Sequence, residues 1–185
     1  MTRVTSTIIE AVKIIEPARF ADARGFFSET WSRNTLRAEG LDLDFVQDNH
    51  SASVNVGTLR GLHFQAPPCA QTKLVRVTRG RVLDVAVDIR KNSPTFGRHV
   101  AVELSAENWR QLLVPAGFAH GFCTLEPDTE VLYKVTADYA PAHDFGLAFD
   151  DPSLNIAWPF VRSELTLSDK DYSHPRLADL PAFFE

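Results

Sequence analysis

Cysteine is scarce in this chain of 185 residues. Cys69 and Cys123 are too few for a disulfide framework and lack the close spacing of a thiolate metal centre. They read as two thiols of a reducing compartment, which suggests a cytoplasmic protein. Positive charge is in deficit: 19 Lys and Arg stand against 24 Asp and Glu, for a net −5. That argues against a nucleic-acid partner, whose binding surface would be basic, while leaving room for a local basic pocket around a small anion. No apolar run approaches the roughly 18 residues needed to cross a bilayer, so no membrane role is expected. The opening stretch MTRVTSTIIEAVKIIEP has no long apolar core and carries Glu10, Lys13 and Glu16, so it is not a signal peptide. The histidines also lack a pattern. His50, His63, His99, His120, His143 and His174 are scattered with no H-x-H pair, and no metal site is expected from their spacing. Internal repeats, low-complexity tracts and linkers are missing too, which leaves one domain over 1–185.

What is present is a series of short, strand-like runs broken by Gly, Pro, Asn and Asp. Hydrophobic residues at 44% and charged residues at 23% are ordinary for a globular domain with a real core. Residues 7–15 form one run, ending before Pro17, and 25–31 (GFFSETW) another after the turn-like Asp22 to Gly25. Residues 32–40 are the best short helix, with Ser32 to cap its start and Gly40 its end. Runs over 73–78 and 81–89 meet at Arg79-Gly80, which reads as a hairpin. Further runs cover 100–104, 111–114, 118–124 and 131–135. From about 163 the pattern loosens into a short helical C-terminal segment, with a helix near 168–171. Turn signals roughly every 8–12 residues favour a sandwich or barrel over alternating β and α units. A mostly antiparallel β chain with histidines in its interior points to a double-sheet jelly roll with a few short helices.

The chemistry concentrates around TLRGLHFQ at 58–65, followed by Lys73. His63 can exchange protons near neutral pH. A flat strand would send Arg60 and Leu62 to one face and His63 to the other, although Gly57 and Gly61 suggest bulges that break this alternation. His63 flanked by Leu62 and Phe64 reads either as a core histidine or as a general base. Lys73 shares a face with Val75 and Val77, so it sits at a wet strand end or is placed to stabilise a developing oxyanion. Tyr133, with Val131 and Val135 on its own face, is a core tyrosine or a proton donor. His120 follows a turn bracketed by Gly117 and Gly121. Asp84 and Asp88 share a strand face, and Asp48, Asn49 and His50 form a polar knot before Ser51. Ser168 to Asp171 has the form of a capping box, yet a carboxylate there could also orient a histidine.

Several long segments carry a resemblance. They are DARGFFSETW (22–31), QDNHSASVNVGTLRGLHFQ (47–65), QTKLVRVTRGRVLDVAVDIRKNSPTFG (71–97), ELSAENWRQLLVPAGFAHGF (103–122), EVLYK (130–134), DDPSLNIAWP (150–159) and LSDKD (167–171). In this order they resemble the dTDP-4-dehydrorhamnose 3,5-epimerases of the cupin superfamily, over about 22–171. The resemblance implies an isomerase that converts dTDP-4-dehydro-6-deoxy-D-glucose (dTDP-4-keto-6-deoxyglucose) to dTDP-4-dehydro-L-rhamnose in dTDP-rhamnose biosynthesis. It implies no cofactor, and a homodimer. By the same resemblance His63 is the base, Asp171 the carboxylate that orients it, Tyr133 the proton donor and Lys73 the lysine near the substrate carbonyl. Arg24, Glu29, Gln47, Asp48, Asn49, Arg60, His120 and Lys170 match substrate contacts, and Tyr139 matches the aromatic that stacks on thymine. One position departs. The family commonly has Glu-Arg-Gly where this chain has Asp144-Phe145-Gly146, which keeps the charge at a shorter reach and loses an arginine. Two other readings remain open: an epimerase acting at one carbon only, and a non-catalytic nucleotide-sugar-binding cupin. The missing H-x-H pattern disfavours a metal-dependent oxygenase.

Overall fold

The structure is a computed structural model and describes residues 2–185. In chain order its strands are β1 Arg3–Ser6, β2 Lys13–Glu16, β3 Phe20–Asp22, β4 Gly25–Phe27, β5 Gln47–Ser53, β6 Leu59–Gln65, β7 Lys73–Arg79, β8 Arg81–Asp88, β9 His99–Ser105, β10 Gln111–Val114, β11 Phe118–Thr124, β12 Thr129–Val135 and β13 Asp144–Gly146. Two helices, α1 Arg33–Ala38 and α2 Asp169–Tyr172, and three short 3-10 turns complete it. One sheet has the order β1-β2-β10-β7-β12-β5 and the other β13-β6-β11-β8-β9, with antiparallel pairing throughout. Two facing antiparallel sheets linked by crossovers are the jelly roll that the run spacing suggested.

Strand alternation builds the core. Val75, Val77, Val131, Val82, Ala86, Leu104, Leu112 and Phe122 are buried together between the sheets. Each of the larger side chains among them contributes about 1.5–3 kcal/mol on burial. The opposite faces are covered as well. Leu62, Val85 and Val87 lie under the C-terminal segment of Leu180, Phe183 and Phe184. Leu74 and Leu113 lie under Leu36 of α1 and Trp31. Helix α1 forms as its caps predict: Ser32 Oγ accepts the Thr35 N–H at 3.4 Å, and Gly40 turns the chain away at φ +81°.

Four expectations give way to the fold. The run 7–15 reverses within itself, because the Thr7 side chain bonds both backbone groups of Ile9 and folds β1 back onto β2. Alternation of β-branched residues runs straight through this turn, with no Gly or Pro to mark it. The expected hairpin at Arg79-Gly80 is a corner instead. β7 pairs with β10 and β12 and β8 with β11 and β9, so the chain changes sheet at Gly80. Gly80 has φ +75°, and a Cβ there would lie 2.3 Å from Thr129 Oγ1. The run 25–31 ends as a strand at Phe27 and pairs only with β3, forming a separate two-stranded arm with Phe20, Phe26 and Phe27 exposed. Residues 48–50 are not a knot but part of β5, paired with β12.

Asp88 ends β8 and holds the loop that follows. Its carboxylate accepts bonds from Arg90 Nη2 at 2.7 Å, Ser93 Oγ at 2.6 Å and Thr95 Oγ1 at 2.6 Å. Burial works to raise its pKa, and these donors outweigh it and hold the carboxyl at about 2. A depressed folded-state pKa contributes stability above the unfolded value, lost as pH falls through the folded one. Asp88→Asn is therefore expected to cost on the order of 2 kcal/mol at pH 7. In urea unfolding the gap to wild type should shrink below about pH 4. A gap of the same size at pH 3 would show that the charge is not what matters.

Candidate active site

The site begins with a bulge. β6 and β11 pair at His63↔His120 and again at Arg60↔Phe122, so Gly61 and Leu62 stand opposite Gly121 alone. The strands can come this close because both positions lack side chains: a Cβ on Gly61, at φ +140°, would lie 2.5 Å from Gly121 Cα. The extra residue resets the alternation. Leu62 turns into the outer core, while Arg60 and His63 open onto one cavity. The flat-strand expectation that opposed Arg60 to His63 therefore fails at the glycine that had cast doubt on it.

That cavity, of about 510 Å3, lies inside the roll and is lined by Arg60, His63, Lys73, His120, Tyr133 and Asp171, among others. A second one of about 340 Å3 adjoins it and shares His63, Lys73 and Tyr133. Gln47, Asn49, Tyr139, Asp144 and Lys170 line the second. A larger surface hollow of about 650 Å3, between Ile9–Lys13 and the 90–95 loop, holds none of these groups.

His63 Nε2 lies 2.6 Å from Asp171 Oδ1. Asp171 comes from α2, and its other oxygen accepts the Ser168 hydroxyl at 2.7 Å and the Ser168 N–H at 3.4 Å. One carboxylate thus caps the helix and orients the histidine, so both readings of Ser168 to Asp171 hold. Its side chain is 4% exposed. Burial works to raise its pKa, but the facing His174 and His63 imidazoles and the Ser168 hydroxyl hold it well below the usual carboxylate range. His174 stands 3.6 Å away, beyond hydrogen-bond reach, so the formed bonds are those of His63 and Ser168. Because the carboxyl is ionised and only accepts, His63 Nε2 carries the hydrogen. The lone pair is then on Nδ1, with the side chain 32% exposed to the cavities.

Lys73, the first residue of β7, is 8% exposed and donates to the His63 carbonyl at 3.2 Å. Burial pushes its pKa down to about 8, against the pull of the Asp144 and Asp84 charges. Tyr133 faces inward from β12, and burial pushes its phenol up, with Arg60 opposing and Asp144 assisting. His120 Nε2 and Asp84 Oδ1 lie 2.8 Å apart, in a buried hydrogen-bonded pair. Arg60 is tied to β5 through Ser53 Oγ and the Ala52 carbonyl. In the second cavity Asp144 accepts from Lys170 Nζ at 2.5 Å and from the Tyr139 hydroxyl at 3.2 Å. Gln47 bonds Asn49 and the Tyr139 N–H.

Three predicted residues lie elsewhere in the chain. Arg24 is at the tip of the β3–β4 arm, 89% exposed and paired with Asp22. Glu29 accepts from Thr35 Oγ1 near α1. Asp48 alternates with Asn49 along β5 and pairs with Lys134 on the outer face of its sheet. The phenylalanine of the departing motif packs on Phe64 and Phe183, with ring centroids 6.0 and 4.4 Å away. Sequence reasoning missed several neighbours of the site, among them Gln65 and Gln71 of the second cavity and His174. His174 lies three residues after Asp171, a spacing that puts two side chains on one side of a helical turn.

A jelly roll with an ionised Asp–His pair, a lysine and a tyrosine around one cavity is a cupin built for moving protons. The model of the family dTDP-4-dehydrorhamnose 3,5-epimerase matches residues 6–179. A protein of that description from Sinorhizobium fredii is 53% identical over 180 residues, 97% of this chain and 92% of the relative. The Bacillus anthracis enzyme, solved with TDP and PPi bound, has a TM-score of 0.91 at 50% identity, covering 95% of this chain and 99% of that one. A dTDP-6-deoxy-D-glucose-3,5-epimerase from Legionella pneumophila, in complex with dTDP-4-keto-L-rhamnose, has a TM-score of 0.93 at 44% identity, over 98% and 96%. The chain belongs to the dTDP-4-dehydrorhamnose 3,5-epimerase family.

The buried lysine is directly testable. Lys73 should lose its positive charge as pH rises through about 8, more than two units below a free lysine. NMR of its labelled Cε across pH 6–11 reads this, with Lys73→Arg identifying the signal. A midpoint near that of a free lysine would refute the desolvated placement.

Proposed function

We propose that the chain acts as a dTDP-4-dehydrorhamnose 3,5-epimerase through His63 and Tyr133, as one domain over 1–185. The observation that carries this is the 2.6 Å His63–Asp171 pair, which opens onto the same cavity as Lys73 and Tyr133. The carbons flanking the C4 ketone of the sugar carry acidic protons, because the carbanion left behind is an enolate. His63 Nδ1 takes the proton from one face, and the electron pair of the C–H bond moves onto the C4 oxygen. The ammonium of Lys73 stabilises that oxyanion, in a place where low polarity strengthens the interaction. Tyr133, kept protonated by burial, returns a proton to the opposite face and inverts the carbon. Asp171 stabilises the imidazolium formed in between. Only protons move, so the balance requires no redox cofactor.

The nucleotide belongs in the adjoining cavity. Tyr139, 57% exposed, offers a ring to the base, and Lys170, Gln47 and Asn49 offer donors to the diphosphate and ribose. Arg60 and His120 face the sugar. Binding energy gathered there positions the reacting carbons. Arg24, Glu29 and Asp48 do not line these cavities within one chain. The β3–β4 arm leaves three phenylalanines uncovered, which favours a homodimer in which the arm of one copy serves the site of the other. The free thiols Cys69 and Cys123 fit a cytoplasmic location.

Proton NMR of dTDP-4-keto-6-deoxyglucose turned over in deuterated water should show deuterium entering at both carbon 3 and carbon 5. Entry at one carbon would indicate a single-site epimerase, and none in folded protein would refute the assignment. His63→Ala and Tyr133→Phe are each expected to lower turnover by about 100-fold or more while nucleotide binding persists. Near-normal turnover in His63→Ala would remove the base. The arm is tested by mixing. Inactive His63→Ala and Arg24→Ala chains, unfolded and refolded together, should regain about a quarter of wild-type activity if sites are shared between copies. No recovery, with mixed dimers demonstrated, would confine each site to one chain.

A further inference from the structure

His174 has no part in the proton transfers above, yet it is placed with some precision. Its side chain is 8% exposed, and its Nε2 is buried without a hydrogen-bond partner. The next residue anchors the segment, since the Pro175 carbonyl accepts the Ala148 N–H at 2.8 Å. The ring occupies space left by Gly146 of β13, where a Cβ would lie 2.2 Å from Nε2. Its ring and that of His63 stand edge to face, with centroids 5.5 Å apart and planes at 81°. A buried imidazole nitrogen without a partner is costly, and here it points at a carboxylate oxygen 3.6 Å away.

That oxygen is Asp171 Oδ1, the one His63 Nε2 already holds at 2.6 Å. The ligand atoms of His63, Asp171 and His174 all lie within 4.8 Å of one another. Two imidazoles and a carboxylate are a donor set for Zn2+ or a similar divalent cation, with bonds of about 2.0–2.2 Å and a fourth position open to water. Tetrahedral ligand atoms at such bond lengths stand about 3.3 Å apart. The His174–Asp171 separation is close to that already, the His63–Asp171 separation would have to open by less than an ångström, and the two imidazole nitrogens, within 4.8 Å of each other, would have to draw together. His63 is partly exposed to the cavity, which provides the route in.

We propose that His63, Asp171 and His174 form a divalent-cation site of the zinc class, and that the metal switches the enzyme off. The inhibition rests on His63 being the base, whereas the binding does not. The cation takes the His63 Nε2 lone pair in place of the hydrogen shared with Asp171. The neutral ring must then carry its hydrogen on Nδ1, the nitrogen that would otherwise accept the substrate proton. It also removes Asp171 as the partner of the imidazolium. The charge balance favours the ion, since an ionised, buried carboxylate is already in place.

Calorimetric titration of the whole protein with Zn2+, with Co2+ visible absorption as the second readout, should show one ion per chain and the intense bands of four-coordinate cobalt. His174→Ala, whose fold is checked by circular dichroism, should weaken zinc binding at least about tenfold. It should raise the zinc concentration that halves its own turnover by the same factor. Equal zinc affinity in wild type and His174→Ala, or cobalt bands unchanged by the substitution, would overturn the site. Zinc bound at the site with turnover unaffected would leave the site standing and remove His63 as the base.

Discussion

The contact on which the site depends is between two backbones. Gly61 and Gly121 meet where any pair of side chains would collide, and the bulge formed there shifts the alternation of β6 by one residue. Downstream of it His63 faces the interior of the roll, and its carbonyl is within reach of Lys73 Nζ. Upstream, Arg60 faces the same interior. Remove the bulge and His63 and Arg60 part to opposite faces of the sheet, whatever the rest of the core does. Asp171, 108 residues further on, is useful only because His63 is presented to it this way.

Burial then divides the chemistry. Desolvation penalises whichever form of a group is charged, so it weakens the proton affinity of Lys73 and strengthens that of Tyr133. The result is a lysine brought down to about 8 and a tyrosine held protonated. Asp171 escapes the same pressure because it has donors on both oxygens. Three groups around one cavity are thus held in three different protonation conditions by burial and by their partners.

How much of this the sequence discloses depends on the range of the interaction. The strands are legible because alternation is local, and α1 because Ser32 and Gly40 cap it. His63, Lys73, Tyr133 and Asp171 were identified through the resemblance, and the fold brings them around one cavity. The sheet partners of β7 and β8 were not legible: Gly80 permits a hairpin turn and a corner alike, and only packing against Thr129 decides. Asp48 could not be separated from Asn49 until β5 was known to be a strand. His174 carried a usable clue, three residues from Asp171, but the vacancy that receives it is made by Gly146 on another strand.

The departure at Asp144-Phe145 shows how a local change can be absorbed. The shorter carboxylate still bonds Lys170 and Tyr139, so the polar edge of the second cavity persists. Phe145 faces the other way and enters a cluster with Phe64, Phe183 and Phe184 of the C-terminal segment. Strand alternation makes this possible: Asp144 and Phe145 are consecutive on β13, so one lines the cavity while the other packs the outer core. Where the resemblance implies an arginine, this chain has an apolar fastening for the tail, on the far side of the strand from the second cavity. The same β13 supplies Gly146, against which His174 rests. A three-residue edge strand thus sets the rim of the second cavity, the seat of the C-terminal segment and the space beside His63.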